Sequence, residues 1–293
     1  MSEVWRFDAI GTRWQIETPQ PLSGALRTRV EEMMDAFDRT WSRFRSDSLV
    51  SALAATGGSA PAPADAAPML ALYEELSHAT AGAVNPLVAA SLSALGYDPA
   101  YRLTPTGVTV PAPSAWTAAV SIADGRLRAA PGALLDVGAL GKGRLVDIVG
   151  ETVTSETGAS ATVDAGGDIR VWSSTERIGL EHPYDSTRVI GVWEVTDAAL
   201  CASATNRRAW GEGLHHVLDA RTGEPIDSVA ATWAVSDSAM RADAASTALF
   251  FDGGAELAAR WGVAWVRMFT DGRVEFSPGC PAELFTRRRS VNT

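Results

Sequence analysis

Between Trp5 and Thr18 apolar and polar residues alternate on both sides of Gly11, a period of two that predicts strands over residues 5–10 and 12–18. The period then lengthens. Leu26, Val30, Met33, Phe37, Trp41 and Phe44 recur at helical spacing and mark one apolar face. Residues 54–68 lose this periodicity in an Ala-, Gly-, Ser- and Pro-rich run, which predicts a mobile surface loop. A second helix is expected over residues 69–79, stopped by Gly82. Alternation around Asp124-Gly125 predicts a hairpin within residues 117–130, and a helix over 145–154 is entered through the glycine-containing segment 138–143. Short strands follow at 161–164, 169–172, 178–180, 189–195, 198–202, 216–218 and 231–236. Helices at 242–251 and 254–261 precede a last hairpin over 263–276 around Asp271-Gly272. Strands outnumber helices without regular alternation, so the expected class is α+β, with mixed, largely antiparallel sheets and flanking helices. No internal repeat or clear linker divides the chain, and residues 1–293 are read as a single domain.

At 46% hydrophobic and 20% charged residues, the 293-residue chain has the make-up of an ordinary globular protein with a sizeable core. Its ten tryptophans supply bulky core and candidate walls for a planar ligand. The net charge of -10 argues against a nucleic-acid partner, and it means that an anionic ligand needs a local positive site or a metal. Cys201 and Cys280 lie far apart and show no metal-ligand spacing, which speaks against a structural zinc or a disulfide framework. The first residues show no basic region followed by an apolar stretch, and no run reaches membrane-spanning length. A cytoplasmic chain without membrane insertion is expected.

Chemistry concentrates in a few blocks. In Arg241-Ala242-Asp243-Ala244-Ala245-Ser246-Thr247-Ala248 a carboxylate and a hydroxyl stand four residues apart, on one face of the predicted helix. Two such oxygens can chelate a hard cation such as Mg2+. The alanines around them mark the helix as buried, and a buried carboxylate requires a cation or hydrogen bonds. Asp136-Val137-Gly138-Ala139-Leu140-Gly141-Lys142-Gly143 combines glycines that permit close backbone approach with a lysine at the mouth of a helix. Free amides and the helix dipole favour an anion there, so the block could hold a diphosphate, although its spacing is not that of a P-loop. Asp164-Ala165-Gly166-Gly167-Asp168 is either a tight turn or a close approach to a ligand. His216 begins a loop that continues to Gly223; it either orders that loop, where Arg221 can pair with Asp219, or contacts a ligand.

Taken together, these blocks resemble the FAD:protein FMN transferases, the ApbE-type flavin transferase family. The resemblance runs from Ala9-Ile10-Gly11-Thr12 through Trp41-Ser42-Arg43-Phe44, Asp47-Ser48-Leu49 and Gly82-Ala83-Val84-Asn85-Pro86. It continues through the glycine-rich block with Val146-Asp147, the segment 164–169, Gly179-Leu180-Glu181-His182-Pro183 and the stretch 203–250. Each motif is modest alone; their order makes them specific.

The resemblance implies an ApbE-like fold with the FAD site in a cleft, and Mg2+-dependent transfer of FMN from FAD to a Thr or Ser hydroxyl of a target flavoprotein. A phosphoester forms and AMP leaves. It implies magnesium ligands at Asp243, Thr247 and the backbone carbonyl of Ala139, and FAD contacts from Asp136 and Lys142. Ala83, Val84 and Asn85 would line the flavin nucleotide, with Ile10 on one side and His216 and Val217 on another. Either Asp243 or His216 could take the proton from the acceptor hydroxyl, with Asp243 favoured for its place beside the metal. No self-contained nucleophile set is evident, which fits a nucleophile arriving on the partner protein. Asn85 stands where the family has Asp, Leu87 where it has Thr, Leu95 where it has Trp and Ala204 where it usually has Gly. The alternatives are an FAD diphosphatase giving FMN and AMP, and a flavin-binding protein without catalysis. Either a monomer or a homodimer is compatible with the sequence.

Overall fold

Ile10 and Gly11 both take positive φ, 48° and 69°, in the two-residue turn that closes β1 (Glu3–Ala9) onto β2 (Thr12–Thr18). Such turns match the twist of paired strands; glycine adopts them freely, whereas a β-branched residue rarely does. The hairpin forms one edge of an eight-stranded sheet in the computed structural model, which describes residues 2–285. Beyond β2 the order is β6 (Ala161–Asp164), β7 (Asp168–Trp172), β10 (Ala199–Ala204), β15 (Val229–Ser236), β16 (Ala264–Phe269) and β17 (Val274–Phe276). Every pairing in it is antiparallel. The class is α+β, as the lack of βα alternation predicts.

Alternation along the strands gives the sheet two covered faces. On β10, Ala199 and Cys201 join Trp14, Ile16 and Val163 under α1 (Gly24–Trp41) and α6 (Gly141–Thr157). Leu200 instead joins Val171, Trp233 and Val266 beneath the hairpin of β8 (Thr175–His182) and β9 (Asp185–Thr196). α7 (Ala239–Ala248) follows β15 and packs on the α6 side, with α8 (Gly254–Arg260) behind it.

Helix α6 carries Gly141, Gly143 and Gly150, each costing roughly 1 kcal/mol of helix propensity. Leu145, Val146, Val149 and Val153 are fully buried on its inner face and contribute roughly 1.5–3 kcal/mol each. Packing therefore wins. The glycines permit close approach: a Cβ at Gly150 would enter the Trp172 ring, and one at Gly143 would meet the Ala239 carbonyl and lie 2.8 Å from Asp243 Cβ.

A second body of structure covers the end of the sheet where the β1–β2 and β6–β7 turns lie. It holds α2 (Leu49–Thr56), β3 (Gly58–Pro61), α3 (Ala66–Ala79), α4 (Ala89–Ala94), α5 (Trp116–Ala119), β4 (Val120–Ala123) and β5 (Arg126–Ala129). The structure corrects two expectations. Residues 54–68 are not one surface loop: α2 extends to Thr56, β3 pairs with β5 from Gly58↔Ala129 to Pro61↔Arg126, and α3 starts at Ala66. The register comes from the partner strand, which a Gly-Ser-Ala-Pro segment cannot announce, and Pro61 is tolerated because β3 is an edge. Residues 216–218 are not one strand. β11 (Ala209–Trp210) pairs with β12 (Leu214–His215), β13 (Leu218–Asp219) pairs with β14 (Glu224–Pro225), and His216 and Val217 stand between the two ladders. Helix α4, without a long apolar stripe, was not foreseen. A short strand, β18 (Glu283–Leu284), adds to β9. Among the described residues no helix is long and apolar enough to cross a membrane.

Candidate active site

Asp136 organises the glycine-rich segment ahead of α6. Its Oδ1 accepts from the Gly138 N–H at 2.7 Å and its Oδ2 from Arg43 Nε at 2.6 Å. Its own N–H donates to the Pro86 carbonyl at 2.8 Å, and its carbonyl accepts from the Tyr73 hydroxyl at 2.9 Å. Burial, and then the Asp136 charge, push the Tyr73 hydroxyl well above its ordinary value, so it stays a donor. Arg43 is buried, donates through Nη1 to the Tyr97 carbonyl at 3.0 Å, and lies over the rings of Phe44 and Tyr97. Both carboxylate oxygens of Asp136 accept hydrogen bonds within the protein. The residue braces the glycine-rich loop that leads into α6.

The cation ligands suggested by sequence come from two helices. Leu140, at the N-cap of α6, offers no capping side chain, and Asp243 on α7 supplies one: its Oδ2 accepts from the Gly143 N–H at 2.9 Å. One turn later on α7, Thr247 Oγ1 donates to the Ala139 carbonyl at 3.4 Å. The spacing of four residues therefore brings Asp243 and Thr247 to the same helix mouth as Ala139. Thr247 and the Ala139 carbonyl are close enough that both could hold one small divalent cation, which would supply positive charge there.

Charge points the same way. Asp168 on β7 is fully buried and forms an ion pair with Lys142. Burial opposes the Lys142 charge, but Asp168 and Asp243 outweigh it and hold the ammonium above its ordinary range. Burial and the Asp168 carboxylate drive the Asp243 carboxyl well above the usual carboxylate range, against Lys142 and the Gly143 amide. Two buried carboxylates share one ammonium, so Asp243 retains a proton that a divalent cation could displace.

Three of the remaining predicted residues pack together. Ala83, Val84 and Val217 are buried in one cluster, against which Ala139 packs. The Ala83 carbonyl accepts from the Ala220 N–H at 3.0 Å, which ties the 216–223 loop to this wall. Asn85 is buried, donating through Nδ2 to the Pro113 carbonyl and accepting at Oδ1 from the Leu87 N–H, both at 2.9 Å. Its amide thus serves a bond that the family's Asp cannot make. His216 is half-buried and its enclosed Nδ1 has no protein partner. Burial, then Arg208, His215 and Lys142, push its imidazole down to about 3, so it is neutral at physiological pH. Ile10 stands 39% exposed in its positive-φ turn.

Sequence reasoning did not single out Arg43, Asp168 or Arg208 as site residues. The first two reveal themselves only through partners distant in sequence, Asp136 and Lys142. Exposed Arg208 lies within the motif stretch 203–250, and its charge bears on both Asp243 and His216. A cavity of about 30 Å³ among Gly166, Gly167, Glu181, Pro183, Ser203 and Arg207 brings together three more of the sequence blocks. A larger one of about 280 Å³ lies at the opposite end of β2 and β6 and contains none of the predicted residues.

Comparison with known proteins gives a family and a fold. The ApbE family profile matches residues 10–265. An FAD:protein FMN transferase from Treponema pallidum is 30% identical over 281 residues, covering 80% of this chain and 74% of the relative. Another from Rhodobacter capsulatus is 30% identical over 165 residues, covering 53% of this chain; the chain spans only 32% of that relative's length. The crystal structure of the ApbE protein from Thermotoga maritima superposes with a TM-score of 0.82 at 22% identity, covering 94% of this chain and 97% of that one, a likeness of fold.

Proposed function

The chain belongs to the ApbE family, and on that premise we propose that it transfers FMN from FAD to a threonine or serine hydroxyl of a target flavoprotein, with release of AMP. The observation that carries this reading is the convergence of Asp243, Thr247 and the Ala139 carbonyl at the N-terminus of α6. A diphosphate is favoured at such a helix mouth. Mg2+ held by these three oxygens would neutralise charge on the diphosphate and on the departing AMP.

The chain's own residues supply the rest. Asp136, fixed by Arg43, shapes the glycine-rich loop, and Lys142 places a cation beside the diphosphate. Ala83, Val84 and Val217 give the flavin nucleotide an apolar wall, with Asn85, Ile10 and His216 at its borders. An imidazole pushed down to about 3 is a weak proton acceptor, which favours Asp243 over His216 as the general base. The protein provides no nucleophile because the acceptor brings it. We place the protein and its target flavoprotein in the cytoplasm, with residues 1–293 acting as one domain.

Incubating the full chain with FAD, Mg2+ and a candidate acceptor domain tests the reading. The expected result is one FMN gained per acceptor hydroxyl and one AMP released, with Asp243→Ala at least ~100-fold slower. Free FMN and AMP with no gain on any acceptor would replace transfer by hydrolysis.

A further inference from the structure

Asp147 takes no part in the site as described, yet it is buried on α6 one turn beyond Gly143 and faces α7. Its Oδ1 accepts from the Ala239 N–H at 2.9 Å and its Oδ2 from the Met240 N–H at 3.0 Å, the first two amides of α7. Ser238 already supplies the local cap, accepting from the Arg241 N–H at its side-chain oxygen and from the Ala242 N–H at its carbonyl. Between them these groups satisfy the amides left free at the helix start. The Ser238 bonds stabilise α7 as a helix. Those to Asp147 fix α7 to another helix, and that difference gives Asp147 its role.

Strand β7 holds Asp147 from behind. Arg170 Nη1 lies 2.5 Å from its Oδ1, with the guanidinium over the Trp172 ring. Two residues earlier on β7, Asp168 pairs with Lys142 of α6. The charges alternate, cation on the helix to anion on the strand and then the reverse. A slip of α6 along β7 would break both pairs, and the register is therefore specific.

We propose that Asp147 is a positioning residue for the cation site: it sets where α7 lies along α6, and so how far Asp243 and Thr247 stand from the Ala139 carbonyl. This inference rests on the metal-dependent transferase reading above. Groups that orient ligands from behind affect metal affinity, which a cap acting on helix stability alone would leave unchanged.

The test is calorimetric titration of Mg2+ into the full chain saturated with FAD, alongside a melting curve. In Asp147→Asn the Mg2+ dissociation constant should rise roughly 10–100-fold, with FAD affinity in the absence of Mg2+ unchanged. Should that variant fail to fold because Arg170 is left unpaired, Asp147→Asn combined with Arg170→Gln removes both charges and should show the same rise. A folded variant with wild-type Mg2+ affinity, whatever its melting temperature, overturns the proposal. Absence of Mg2+ binding to the wild-type FAD complex would instead overturn the functional reading beneath it.

Discussion

Asp147 and Asp243 each accept backbone hydrogen bonds from the first turn of the helix that carries the other. Asp147 sits on α6 and caps α7; Asp243 sits on α7 and caps α6. Neither exchange is possible unless the two backbones nearly touch, and Gly143 is the residue that lets them, because a Cβ there would strike the Ala239 carbonyl. Gly143→Ala should therefore destabilise the protein by about 1–3 kcal/mol, through overpacking rather than helix propensity, which the change improves. Urea denaturation measures this. A variant as stable as the wild type would show that the helices have room to part.

Asn85 makes a second expectation sharp, because restoring the family's own residue should do harm. In Asn85→Asp the donor to the Pro113 carbonyl is lost and a carboxylate oxygen faces that carbonyl instead. A buried acceptor left without its donor costs about 1–3 kcal/mol. The urea midpoint should fall accordingly. Equal stability of Asn85→Asp and wild type would mean that the loop at Pro113 readily moves away.

His216 predicts a pH dependence of stability. The folded imidazole is held down to about 3, below its ordinary 6.5, so the unfolded chain binds the proton more readily. The contribution of neutral His216 is fully present above pH 6.5 and is lost as pH falls toward 3, with a slope of up to about 1.4 kcal/mol per pH unit. His216→Gln should flatten that part of the stability curve, measured by denaturation between pH 7 and the lowest pH at which both proteins fold. Parallel curves for the two proteins would contradict the burial of this ring.

What could be read from the chain and what could not divide along physical lines. The hairpin at Ile10-Gly11, the long face of α1 and the Asp243/Thr247 pair obey local periods, and the chain states them directly. The glycine-rich block was legible as a helix mouth, but not the reason that mouth is capped by Asp243, because the cap lies on another helix. Asp147, Arg43 and Asn85 act through partners 92, 93 and 28 residues away, relationships that a single sequence does not display. Asn85 could be seen as a departure from the family only as a lost charge; the Pro113 carbonyl supplies the gain. β3 was hidden for a related reason, since its four small residues become a strand only beside β5.

The central claim is that phosphoryl transfer is organised by a cation between Asp243, Thr247 and the Ala139 carbonyl. The most direct test is anomalous diffraction from crystals grown with FAD and Mn2+ in place of Mg2+. We predict one strong peak touching those three oxygens, with the FAD diphosphate completing the coordination. A fully bound FAD with no peak there, or with the metal held by other residues, would contradict the account.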